Sequence, residues 1–216
     1  MLQHVWERAS RARTLSRLVI ATDDERILLA ARDFGATVRM TRADHASGTD
    51  RTAEVAALDG AAIVVNIQGD EPLIDPAAID AAVAGLLEWG DAPMGTLSRR
   101  IEDPAEVLNP NVVKVVTDLG GNAVYFSRSP IPYARSGGGI HHKHIGLYVY
   151  RKAFLLGYSS LPVGPLEESE KLEQLRALEN GFKIRVVETG YDSLGVDTPE
   201  DLRRVSALIE ERLVAR

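Results

Sequence analysis

The sequence predicts an α/β fold, a mixed and mostly parallel sheet with helices on both faces and an antiparallel insertion in its second half. Three observations carry that prediction. Helical and β-type apolar patterns alternate from end to end. The apolar, β-branched-rich run Ala62 to Ile67 stops at Gln68-Gly69-Asp70-Glu71-Pro72, as a buried strand does where an open α/β sheet presents polar groups at its carboxyl end. Helix starts are marked by a capping residue followed by proline, Asp75-Pro76 and Thr198-Pro199, where the missing proline N–H costs nothing.

Taken in order, Leu2, Val5, Trp6 and Ala9 recur at helical spacing, and Leu18 to Ala21 is a short β run ending in Thr22-Asp23-Asp24. One of those aspartates caps a helix with Ile27, Leu28 and Ala31 on one face, and Gly35 ends it. Val38 to Met40 is a strand, Asp50 to Leu58 a helix, and Ala62 to Ile67 the central strand. In the second half, Met94 to Ile101, Val112 to Thr117 and Ala123 to Phe126 read as strands, the last two joined by the turn Asp118-Leu119-Gly120-Gly121. Ser136 to Gly139 is a loop. His144, Gly146 and Tyr148 alternate with Ile145, Leu147 and Val149 in a strand with one polar-aromatic face. Leu172, Leu175 and Leu178 mark a helix ending at Asn180-Gly181, Ile184 to Val187 a strand, and Thr198 to Asp201 the capped start of the last helix.

Composition bounds the function. With 216 residues and 45% hydrophobic content the chain buries one substantial core, so residues 1–216 are expected to form a single domain. The absence of cysteine excludes thiolate chemistry and disulfides and suits a reducing cytoplasm. A net charge of -6 without a basic stripe argues against nucleic acid as a partner, and no apolar run approaches the roughly 20 residues of a membrane span.

Asp70 and Asp197 each sit where a β-like run, Val64 to Ile67 or Leu194 to Val196, meets a turn containing proline. If those ends adjoin, two carboxylates face each other. At about 4 Å their repulsion is on the order of 1 kcal/mol in water and roughly 4 kcal/mol at an effective dielectric of 20, which a cation relieves. Oxygen ligands of this kind suit Mg2+ with phosphate completing its shell. The alternative is that Asp70 caps a turn and Asp197 a helix. Ser47-Gly48-Thr49-Asp50-Arg51 offers hydroxyls, backbone N–H groups and a guanidinium to an anion or a base edge, although a helix cap explains the same residues. His141 and His142 are expected in a solvated loop. His144 shares a strand face with Tyr148, roughly 13 Å away at about 3.3 Å per residue, where both can line a pocket for a hydroxylated ligand. Arg128 suits a carboxylate, which guanidinium pairs with bidentately.

Seven segments in order, MTRADHASGTDR (Met40 to Arg51), VVNIQGDEP (Val64 to Pro72), NPNVVKVV (Asn109 to Val116), YFSRSPIP (Tyr125 to Pro132), HIGLYVYR (His144 to Arg151), LEQLRALENG (Leu172 to Gly181) and GVDTPEDL (Gly195 to Leu202), resemble the 3-deoxy-manno-octulosonate (Kdo) cytidylyltransferase family. The resemblance implies a glycosyltransferase-A-like nucleotide-diphospho-sugar transferase fold and a cytoplasmic enzyme of lipopolysaccharide biosynthesis. Its substrates would be CTP and Kdo, its products CMP-Kdo and pyrophosphate, its cofactor Mg2+ and its assembly a homodimer. Carried over by motif, Asp70 and Asp197 would be the catalytic metal carboxylates. Gln68 with Ser47, Gly48, Thr49 and Arg51 would contact the cytidine. Arg128, His144, Tyr148, Glu173 and Gln174 would hold the sugar acid. A related acidic sugar, such as 8-amino-Kdo or a nonulosonate, is the alternative substrate, and a non-catalytic sugar-binding or dimerising remnant the alternative role.

The resemblance has one departure, at the start. Family members open with a strand and a basic glycine-containing loop of the type IPARxxSxRLPGKPL that grips the triphosphate, whereas residues 1–9 align with the helix after that loop. The expectation is a domain incomplete at its N-terminus, with an apolar slot beside the neighbouring strands and weak binding of CTP.

Overall fold

The computed structural model describes residues 1–214. The elements run α1 (Leu2–Ala9), β1 (Ile20–Thr22), α2 (Glu25–Asp33), β2 (Val38–Met40), α3 (Gly48–Ala57), β3 (Ile63–Asn66) and α4 (Pro76–Glu88). They continue through β4 (Met94–Arg100), α5 (Pro104–Leu108), β5 (Lys114–Thr117), β6 (Ala123–Ser127) and β7 (His142–Arg151). The remainder is α6 (Lys152–Tyr158), α7 (Pro165–Glu170), α8 (Leu175–Glu179), β8 (Ile184–Glu188) and α9 (Pro199–Val214).

Local chemistry explains most helix starts. Asp24, Ser47 and Asp75 cap α2, α3 and α4 by accepting the backbone N–H of Arg26, Asp50 and Ala77. Thr198 and Asp201 exchange side-chain and backbone hydrogen bonds at the start of α9, a reciprocal cap that satisfies two otherwise orphaned N–H groups. On α4, Ile79, Ala82, Val83 and Leu86 repeat at i, i+3, i+4, i+7 and are buried against the sheet. Gly85 on that helix lies so close to β8 that a Cβ there would clash with the Val187 side chain, so glycine allows the approach.

Strand β7 organises the larger sheet. On one side it pairs antiparallel with β4 along its whole length, and β4 pairs parallel with β8. On its other side β5 pairs with Lys143 and His142, while β3 pairs with Tyr148 to Arg151. Beyond β5 lies β6. Strands β3, β4, β5 and β8 therefore share a direction, but because the reversed β7 lies among them, only the β4–β8 pairing in this sheet is parallel among the described residues. The mostly parallel sheet expected from sequence is parallel in strand direction more than in hydrogen-bonded pairs.

The structure differs from the sequence reading in three further places. Leu194 to Val196 is irregular rather than β, because this segment crosses to Asp70 instead of joining the sheet. His142 begins β7, paired with Val115 and Arg100, rather than lying in a solvated loop. Leu172 precedes α8, which starts only at Leu175.

Strands β1 and β2 form a separate parallel pair. Among the described residues no ladder joins β1 to β3, and a cavity of about 370 Å³ lies between them. Ile20 and Ala21 face it from one strand and Val64 and Val65 from the other, with Val5 of α1 and Val55 of α3 also on its wall. The lining of this slot is mostly apolar.

Candidate active site

The two partners of β7 that share one side leave it forked. Between His142 and Lys143, paired with β5, and Tyr148, paired with Asn66 at the end of β3, the edge of β7 is released from both ladders. The chain leaving β3 runs through Gln68, Gly69 and Asp70 beside this opening. A cavity of about 380 Å³ forms there, and Gln68, Asp70, His144, Tyr148, Gln174 and Asp197 are on its wall. This is the carboxyl end of a strand at a split in the sheet, where open α/β folds bind ligands.

A loop after β8 brings Asp197 in. Thr189 N–H donates to Ser98 O, and Asp192 pairs with Lys143 at 2.7 Å and with Arg99 at 3.2 Å. Glu71, 7% exposed, accepts the hydroxyls of Tyr191 at 2.9 Å and Ser193 at 2.6 Å. Val196 N–H then donates to Asp70 O at 2.9 Å. Burial pushes the Asp70 carboxyl above the usual carboxylate range, and the neighbouring Asp197 charge pushes it the same way. Burial also raises Glu71, against the two hydroxyl hydrogen bonds.

Among the described residues no group of three or more His, Cys, Asp or Glu side chains is arranged to hold a metal. Asp70 and Asp197 nevertheless repel across a cavity wall that carries no lysine or arginine. That donor set fits Mg2+, which binds through one or two carboxylates and takes its other ligands from water and substrate phosphate.

The opposite wall is aromatic and polar. The rings of His144 and Tyr148 have centroids 5.4 Å apart, far closer than the roughly 13 Å that an even strand predicts. A β-bulge explains it: Thr96 pairs with Tyr148 but Leu97 with Ile145, so Gly146 and Leu147 are left over in β7. Phe126 packs edge-on against His144 at 5.0 Å. Tyr148 donates its hydroxyl to Gln174 Oε1 at 3.1 Å, while Gln174 Nε2 is buried without a partner. Burial lowers the His144 pKa to about 3, so the imidazole is neutral near pH 7.

Other sequence-derived candidates stand further back. Glu173 accepts the hydroxyls of Ser47 at 3.0 Å and Thr49 at 3.2 Å, tying the start of α3 to the segment before α8. Burial raises its pKa against those bonds. Arg128 donates to the carbonyls of Glu170 at 2.8 Å and Pro110 at 3.0 Å, and is absent from the cavity wall. Gly48 and Arg51 line the apolar slot, and Arg51 pairs with Asp23 at 3.2 Å. Gln68 lies on the walls of both cavities. Sequence reasoning missed Glu71, although it stands inside the quoted GDEP run, and Ser193.

Residues 1–184 match the cytidylyltransferase family. The chain is 67% identical to the 3-deoxy-manno-octulosonate cytidylyltransferase of Solibacter usitatus over 99% of its length and 86% of that protein. It is 57% identical to the enzyme of the same name from Geobacter sulfurreducens, over 95% of this chain and 87% of the relative. Among solved structures, CMP:2-keto-3-deoxy-manno-octonic acid synthetase complexed with CTP superposes with a TM-score of 0.94 at 42% identity, covering 98% of this chain and 88% of that one. The 4-diphosphocytidyl-2C-methyl-D-erythritol synthase of Anaerococcus prevotii, 14% identical with a TM-score of 0.64, covers 97% of this chain and 88% of that one and shares the fold.

Proposed function

The chain belongs to the 3-deoxy-manno-octulosonate cytidylyltransferase family, and on that premise we propose how its cavity carries out the reaction. The protein converts CTP and Kdo to CMP-Kdo and pyrophosphate for lipopolysaccharide biosynthesis. A bond forms from the anomeric oxygen of Kdo to the α-phosphorus of CTP as the bond from that phosphorus to pyrophosphate breaks. Such a transfer needs alignment and charge neutralisation rather than a side-chain nucleophile.

Asp70 and Asp197 hold Mg2+ in this reading. When bound, the ion neutralises triphosphate charge and makes the attacking hydroxyl more acidic. Gln68, on the walls of both cavities, meets the cytidine together with Gly48 and Arg51, and Ser47 and Thr49 fix the start of α3 through Glu173. His144, Tyr148 and Gln174 orient the sugar. Arg128 supports the sugar wall through the backbone it binds, and the reading includes a cytoplasmic homodimer. The observation that carries it is the Val196-to-Asp70 hydrogen bond, which draws the Asp197 loop onto the rim of the cavity that Asp70 and Gln174 share.

Pyrophosphate release from CTP and Kdo, with Mn2+ binding followed by electron paramagnetic resonance, tests the assignment. Asp70→Asn and Asp197→Asn should each weaken Mn2+ binding and lower kcat by about 100-fold or more, the usual scale for removing one electrostatic contact to the transition state. Unchanged Mn2+ affinity in both variants would remove these carboxylates from the metal site.

A further inference from the structure

We propose that Thr96 is a specificity-positioning residue, which sets the hydrogen-bond polarity of the sugar wall by holding His144 in the tautomer that accepts at Nδ1. This rests on the reading of the cavity beside Asp70 and Gln174 as the place where the sugar binds.

Thr96 is fully buried in the middle of β4, at the bulge that offsets β4 from β7. Its hydroxyl oxygen lies 2.8 Å from Leu147 O, 3.1 Å from Ile145 O and 2.9 Å from His144 Nε2. A hydroxyl has one proton, and carbonyl oxygens only accept. The proton therefore goes to a β7 carbonyl that the bulge leaves out of register, and the oxygen accepts from His144 Nε2–H. A neutral imidazole carries a single N–H, so Nδ1 remains as an acceptor. Burial disfavours the imidazolium that would make both nitrogens donors.

Gln174 is fixed with the opposite polarity. The Tyr148 hydroxyl donates to its Oε1, which leaves the buried Nε2 as a donor without a protein partner. His144 and Gln174 both line the cavity, and one acceptor and one donor of set sense are complementary to sugar hydroxyls, each of which both donates and accepts. An analogue lacking the matching hydroxyl leaves a buried polar group unpaired, and sites built on hydrogen bonds discriminate most strongly in that situation.

Nitrogen-15 NMR of the histidine rings in the full chain, with His144 assigned by its substitution, reads the tautomer directly. The expected result is Nε2–H in the parent and in Thr96→Ser, with a shift toward Nδ1–H in Thr96→Val. Kinetically, Thr96→Val should raise KM for Kdo about tenfold while KM for CTP stays within about twofold, and Thr96→Ser should restore the parental value. A parent ring protonated at Nδ1 overturns the proposal, as does a Thr96→Val ring still protonated at Nε2 or an unchanged KM for Kdo despite a shifted tautomer. Should Thr96→Val not fold, Thr96→Ala is read in its place. Gln174→Ala separates the two levels: if it leaves KM for Kdo unchanged, the assignment of the cavity to the sugar fails, whereas the NMR result stands independently of any sugar.

Discussion

Two cavities of this protein are close in volume, about 370 and 380 Å³, yet they are built in opposite ways. The site cavity sits in a fork of a continuous sheet, and its walls are held by long-range hydrogen bonds: Thr96 to β7, Tyr148 to Gln174, Tyr191 and Ser193 to Glu71. The slot between β1 and β3 separates two sheets, and aliphatic side chains such as Ile20, Val64 and Val65 face it. Polar groups in the first region are fixed in direction, which is what recognition of a hydroxylated anion requires. In the second region the driving force is burial of apolar surface, which is non-directional and is unrealised wherever a side chain faces open space.

Equal truncations should break or sharpen this contrast. Leu97→Ala, at a fully buried position in β4, should cost about 2–5 kcal/mol in denaturant unfolding, as core leucine truncations do. A cost for Leu97→Ala below that of a slot residue would reverse the comparison. The site wall should also carry a pH signature. His144 has an unfolded pKa near 6.5 and a folded value of about 3, so between those values the unfolded chain binds a proton that the folded one does not. Its contribution is fully present above pH 6.5 and is lost as pH falls toward 3, with a slope of at most about 1.4 kcal/mol per pH unit. His144→Asn should flatten that limb in urea titrations at stepped pH, and an unaltered limb would contradict the buried neutral ring.

On the slot side, Ile20→Ala should cost about 1 kcal/mol or less, because the half-buried side chain already faces a cavity. Hydrogen exchange offers a parallel check: amides of β1 should exchange faster than those of β4 and β7, and equal protection would mean that the separate pair is as firmly held as the main sheet. The smallest effect belongs to Asp24, whose carboxyl is held at about 2 by Arg26 and by the helix N–H it caps. Its stabilisation is present above about pH 3.8 and fades as pH falls toward 2. Asp24→Asn should leave thermal melts near pH 2 unchanged and lower the melting temperature slightly at pH 7.

Much of the framework was legible because its signals are local. The aspartate and hydroxyl caps of α2, α3, α4 and α9 stand next to the residues they serve, and the alternation of Ile145, Leu147 and Val149 with His144, Gly146 and Tyr148 announces the correct faces of β7. The pairing of Asp70 with Asp197 was legible only as a condition, that two segments adjoin, and the bond from Val196 to Asp70 is what satisfies it. Thr96 and Glu71 gave no usable signal. A threonine in a strand has the ordinary look of a β-branched residue, and its role depends on carbonyls about 50 positions away.

By itself the sequence determined the α/β class, the order of the elements other than α5, α6 and α7, the faces of β7 and, through its ordered motifs, the family. Those follow from periodicity, capping and turn chemistry, which act within a few residues. Only the tertiary structure decided that the sheet forks at β7, that a bulge brings His144 and Tyr148 to 5.4 Å, that Glu173 and Arg128 hold loops, and that Gln174 keeps an unpaired donor. Hydrogen bonds between distant segments and the desolvation that accompanies burial exist only once those segments have met.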